Sequence, residues 1–113
     1  MSPPQHITTQ ECIALAMPEA DLQANTIELA EALGWAVWHA RDSRGQRLTG
    51  LPDLLCAKPP VSFWAELKRE GKDPTPMQDV VLDIFRRCGW TVYIWHPSDW
   101  LDGTIQKVLE GKV

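Results

Sequence analysis

The chain has 113 residues, room for one hydrophobic core and not two, and its 44 % hydrophobic content with six tryptophans excludes a disordered segment. No apolar run reaches the length of a membrane span, no signal-peptide pattern opens the chain, and Cys12, Cys56 and Cys88 are too scattered for a zinc site or a disulfide framework. The net charge of −4 disfavours a uniformly basic nucleic-acid binder, yet the cations are grouped, with Arg41, Arg44 and Arg47 in one segment and Lys68, Arg69 and Lys72 in another. The three cysteines are expected as buried free thiols in a reducing cytoplasm.

Residues 1–7, with Pro3 and Pro4, read as a loose leader. Thr8-Thr9-Gln10-Glu11 has the pattern of a capping box and opens a short helix that stops before Pro18. Residues 1–17 are therefore read as a leader with a short helix, and 18–113 as the domain proper. Pro18 suits the first turn of a longer helix that ends at Gly34, with Leu22, Thr26, Leu29, Ala30 and Leu33 as its buried stripe. Trp35 to His39 reads as a strand, and the polar stretch from Arg41 to Thr49 as a loop that offers three arginines to an anionic partner.

Two short apolar runs follow, Leu54 to Ala57 and Val61 to Ala65, separated by Lys58-Pro59-Pro60, and read as a hairpin. A hairpin symmetric about the two prolines sets Asp53 directly opposite Glu66, on one face and with Cβ atoms roughly 5 Å apart. Lys68, two residues past Glu66, shares that face. Crowded carboxylates cost free energy unless a cation lies between them. Their oxygen ligands suit Mg²⁺ or Mn²⁺, and the neighbouring lysine can orient a water or stabilise charge on a phosphate. These are parts for phosphodiester hydrolysis, whereas no nucleophile paired with a histidine and no phosphate-binding glycine loop is present.

Thr75-Pro76-Met77-Gln78 is a second capping box, opening a helix whose apolar side carries Met77, Val80, Val81, Ile84, Phe85 and Cys88 and which stops at Gly89. Gln78 is the reciprocal residue of that cap, and a role in the carboxylate cluster is the alternative. Thr91 to Trp95 reads as a core strand, His96-Pro97-Ser98 as a turn, and Ile105, Val108 and Leu109 as marks of a terminal helix. The crossover helix makes the last two strands parallel, with a right-handed connection. Five tryptophans lie in or beside strands and are expected in the core, leaving Trp100 as the exposed one.

The order Gly50-x-Pro52-Asp53, Glu66-x-Lys68 and Gln78, on a helix, three strands, a helix and a strand, resembles the PD-(D/E)xK nuclease superfamily. Within it the chain is most similar to the virus-type replication–repair nuclease (VRR-NUC) domains, from about Pro18 to Trp95. The resemblance implies an α/β, restriction-endonuclease-like core (αβββαβ), a mixed four-stranded sheet flanked by helices. It implies Asp53, Glu66 and the backbone carbonyl of Leu67 as ligands of Mg²⁺ or Mn²⁺, with Lys68 positioning the attacking water and Gln78 supporting the site. It also implies a first-helix glutamate near the metal, for which Glu19, with Gln23 four residues on, fits better than Glu28 or Glu31. The activity so implied is a metal-dependent deoxyribonuclease of a bacterial or phage-infected cell, without an appended DNA-binding domain. It would act as a homodimer on branched DNA such as Holliday junctions, with Arg41, Arg44, Arg47, Arg69 and Lys72 on the DNA. A flap or single-strand nuclease, or a non-catalytic nucleic-acid-binding module on the same fold, are the alternatives.

Overall fold

In the computed structural model, which describes residues 7–39 and 50–112, the elements follow the order read from the chain, with one addition. The helix α1 (Thr9–Ala16) is capped by Thr8, whose hydroxyl accepts from the Glu11 N–H at 3.0 Å, and α2 (Glu19–Ala32) starts after Pro18. Gly34 ends α2 with φ at +92°, a conformation that lets the Trp35 N–H reach back to the Ala30 carbonyl at 3.0 Å. The strands β1 (Ala36–His39), β2 (Leu54–Lys58) and β3 (Val61–Leu67) then follow. Helix α3 (Pro76–Arg87) crosses over to β4 (Val92–Trp95), and α4 (Pro97–Leu101) and α5 (Thr104–Leu109) complete the chain.

The four strands form one sheet in the order β1-β2-β3-β4, antiparallel except for the β3–β4 pair. The hairpin register is the symmetric one, with Leu54 opposite Ala65 and Lys58 opposite Val61. Alternation along β3 divides the sheet into two faces. Phe63, Ala65 and Leu67 join Leu54 and Cys56 in the main core, against Leu22 and Ala30 of α2, Trp95 of β4, and Ile105 and Leu109 of α5. Phe63 is its aromatic centre, meeting Trp35, Tyr93 and Trp95 edge-on with ring centroids 5.2–5.5 Å apart. The opposite face belongs to Trp64, which packs on Phe85 of α3 and stacks with Trp90.

Three expectations are corrected, and one face of α3 is left open. His96-Pro97-Ser98 is not a turn but the start of α4: Pro97 stands in its first turn, and the Asp99 carboxylate accepts the His96 N–H at 2.8 Å. Cys56 is buried, but Cys12, on α1, and Cys88, at the C-cap of α3, are exposed. Trp100 is half-buried against the core, whereas Trp38 and Trp90 are the tryptophans in solvent. The apolar side of α3 is largely uncovered: Leu82 is its one buried residue, and Met77, Val80 and Ile84 are exposed. Among the described residues no helix is long and apolar enough to cross a membrane.

Candidate active site

The chemistry gathers where β2 begins and β3 ends. The ladder between these strands stops at Leu54 and Ala65, so the Leu67 N–H has no backbone partner on the β2 side. Asp53 supplies one: its Oδ2 accepts that N–H at 2.8 Å. The contact fixes the Asp53 carboxylate beside Glu66, which is itself 1 % exposed. Lys68 Nζ stands 3.3 Å from Glu66 Oε2. The same oxygen accepts a hydrogen bond from the Gln78 amide nitrogen at 2.8 Å.

Gln78 reaches Glu66 from the first turn of α3, where its carbonyl oxygen accepts the Thr75 N–H at 2.8 Å and its own N–H donates to Thr75 Oγ1 at 3.2 Å. The side chain therefore closes the cap and contacts Glu66 at once. Gly50, at the head of the Gly50-x-Pro52-Asp53 motif, holds the approach. Its φ is +85°, and a Cβ there would lie 3.0 Å from Val81 Cγ2 and 3.1 Å from the Met77 carbonyl oxygen. Only glycine satisfies both conditions and lets this segment lie against the start of α3.

Electrostatically the cluster is strained towards neutrality. Burial raises the Glu66 carboxyl to about 7, the Asp53 charge pushes the same way, and Lys68 opposes both. Asp53 is raised as well, by burial first, against the lowering pull of the Leu67 N–H and Lys68. Glu19, on the first turn of α2, is raised by burial and by the charge of Asp53, and it acts in turn on Glu66. Of the α2 glutamates, Glu19 thus stands with the cluster, whereas Glu28 lies beside Asn25, Leu29, Ala32 and Trp100.

The structure accordingly brings together Asp53, Glu66, Lys68, Gln78 and Glu19, with the Leu67 backbone among them. Arg69 and Lys72 follow β3 on the surface. An Arg69 guanidinium nitrogen donates to the Leu15 carbonyl at 3.2 Å, and the Lys72 carbonyl holds His96 Nε2 at 2.7 Å. Arg41, Arg44 and Arg47 lie outside the described residues.

One atom bears on whether this donor set suits a divalent cation. Glu66 Oε1 is buried and has no hydrogen-bond partner. A carboxylate oxygen without a donor is costly in a protein interior, and carboxylate oxygens are the ligands hard cations use. Among the described residues no three His, Cys, Asp or Glu side chains converge at ligand distances. Mg²⁺ is commonly held by one or two carboxylates, with water and substrate oxygens completing its shell. Asp53 and Glu66 supply those two, so the residues fit.

No family model matches the chain, and no curated protein matches it. Among solved structures the chain is similar to one described as a VRR_NUC domain. The two share 29 % identity with a TM-score of 0.67, over 84 % of this chain and 97 % of that one. The match agrees with the resemblance read from the sequence, and the mixed four-stranded sheet flanked by helices is the fold expected from it.

Proposed function

We propose that the chain, a VRR-NUC domain by fold and by motif, is a nuclease that hydrolyses phosphodiester bonds in DNA with Mg²⁺ or Mn²⁺ as cofactor. The observation that carries this reading is the unpartnered Glu66 Oε1, buried among Asp53, Glu19 and Lys68. Carboxylates held for structure alone would be paired with cations or donors on every oxygen. Here one oxygen is left over, beside a second carboxylate, which is the arrangement that binding a cation requires.

In this reading Asp53 and Glu66 hold the metal, with Glu19 and the Leu67 carbonyl completing the protein side. A divalent ion bound there would supply Lewis-acid polarisation of the scissile phosphate and a lowered pKa for nearby water. Lys68 orients the attacking water and offsets negative charge that builds on the phosphate oxygens. Water adds at phosphorus as one P–O ester bond breaks, giving a phosphate monoester and a free hydroxyl. Gln78 keeps the Glu66 carboxylate turned towards the metal, a positioning role. Arg41, Arg44, Arg47, Arg69 and Lys72 contact phosphates along the strand.

Branched DNA is the proposed substrate, such as a four-way junction, with flaps or single strands as the second reading. The test is a panel of labelled duplex, flap, single-stranded and four-way-junction DNA, incubated with the purified chain and Mg²⁺ or Mn²⁺. Preferential cutting of the junction supports the branched-DNA reading, and preferential cutting of flaps or single strands replaces it. Tight DNA binding with no cutting of any substrate would make the chain a binding module.

A further inference from the structure

Between Lys68 and Gln78 the chain makes a turn whose two ends are both held by the end of β4. The Lys68 N–H donates to the Trp95 carbonyl at 3.0 Å, which continues the β3–β4 ladder. The Lys72 N–H then returns to the Arg69 carbonyl at 3.0 Å, with Gly71 at φ +80°, so Arg69 to Lys72 is a tight turn. Its far end is fixed by the residue after Trp95: His96 Nε2 stands 2.7 Å from the Lys72 carbonyl oxygen. A carbonyl only accepts, so Nε2 carries the proton. Two more contacts hold the turn. The Glu70 carboxylate accepts the Ser98 N–H at 3.0 Å, and the Arg69 guanidinium donates to the Leu15 carbonyl at 3.2 Å.

The turn folds Lys72 back towards the carboxylate cluster. Its Cα lies within about 7 Å of that of Arg69, the residue after Lys68, and Lys68 Nζ is 3.3 Å from Glu66. Lys72 is exposed, and among the described residues no carboxylate pairs with it.

We propose that His96 is a positioning residue for DNA binding: by holding the Lys72 carbonyl it sets the turn that offers the Lys72 ammonium to a phosphate beside the scissile one. The ligand in this inference rests on the nuclease reading. A lysine is a point charge on a flexible stem, so the placement of its backbone decides which phosphate it reaches.

The imidazole has no competing task. The contact that starts α4 uses the His96 backbone N–H, which the Asp99 carboxylate accepts at 2.8 Å. Nδ1 lies 3.7 Å from that carboxylate, too far for a hydrogen bond. The bond to Lys72 is at the surface, where water replaces a lost partner at little cost in stability. What water does not replace is direction, which the ring takes from its place at the end of β4.

Fluorescence anisotropy with a labelled four-way junction in Ca²⁺ tests the proposal, because it reads DNA binding apart from cleavage. His96→Ala should weaken binding about three- to tenfold, with Tm and Mn²⁺ affinity unchanged. In Mg²⁺ the same variant should raise KM and leave kcat within about twofold. His96→Gln, whose amide nitrogen has about the reach of Nε2, should restore binding. Lys72→Ala should weaken binding and lower the salt slope by about one unit, and adding His96→Ala to it should cost nothing more, since the imidazole acts through Lys72. Unchanged binding in His96→Ala overturns the proposal. So do additive losses in the double variant, failure of His96→Gln to rescue, or a loss that tracks a lower Tm or weaker Mn²⁺ binding. A wild type that binds the junction and cuts no DNA removes the nuclease reading alone, and the binding comparisons still decide the role of His96. A wild type that binds no DNA overturns both.

Discussion

The Gln78 amide nitrogen donates to Glu66 Oε2 at 2.8 Å while the carbonyl oxygen of the same amide closes the cap of α3. One side chain thus couples the start of a helix to the orientation of a buried carboxylate. Gln78→Glu keeps an acceptor for the cap but replaces the donor to Glu66 with a second negative charge. Cleavage should fall by about 10- to 100-fold, the usual cost of losing a group that orients a ligand, with the helix content retained. Wild-type cleavage rates in this variant would reduce Gln78 to a cap.

Asp53→Asn, Glu66→Gln and Lys68→Ala should each leave a folded protein with cleavage reduced by about 10²-fold or more. The three should differ in metal binding. Titration calorimetry with Mn²⁺ should show weakened binding in the Asp53 and Glu66 variants and near-normal binding in Lys68→Ala. A Lys68→Ala protein that loses the metal would place the lysine in site assembly and not in the chemistry.

The raised Glu66 carboxyl makes a prediction about stability in chelator. Its value is about 7 in the folded protein against 4.5 ordinarily, so between those limits the folded state binds more protons than the unfolded one. Stability must then fall as pH rises through that window. The loss should be of order 2 kcal/mol, visible as a lower Tm at pH 8 than at pH 5. Glu66→Gln should remove most of this slope, and Mg²⁺ should restore the Tm at pH 8. A chelated wild type that is more stable at pH 8 than at pH 5 would contradict the assigned burial of Glu66.

Gly50→Ala tests the link between the motif loop and α3. The added Cβ meets Val81 and the Met77 carbonyl at 3.0–3.1 Å, and the backbone stays at positive φ. A cost of about 1–3 kcal/mol is expected, with a Tm lower by several degrees. An unchanged melting curve would show that this contact is not needed.

Much of this was legible in the sequence where local rules decide the outcome. The Pro59-Pro60 turn and the alternation on either side determine the hairpin register, and the register sets Asp53 beside Glu66. Thr8 and Thr75 cap their helices as their patterns require. The local pattern marks Gln78 as a cap and leaves a place in the carboxylate cluster as the alternative; its contact with Glu66 depends on α3 lying over the end of β3. Periodicity marks the stripe of Met77, Val80 and Ile84 as apolar, but it does not say what covers it, and the fold leaves that face open. The burial of Trp100 is hidden from the sequence for the same reason: it comes from packing against the core, a contact set by tertiary structure. His96-Pro97-Ser98 reads equally as a turn or as a helix start, and Asp99 capping the His96 N–H decides it.

The most direct test of the account is cleavage of a labelled four-way junction by the wild-type chain in Mg²⁺, in Ca²⁺ and in excess chelator. The account predicts cutting with Mg²⁺, little or none with Ca²⁺ despite bound DNA, because the larger ion's looser coordination leaves the attacking water poorly aligned, and none in chelator. Full cutting in excess chelator would contradict it, since the partnerless oxygen of Glu66 would then need no metal.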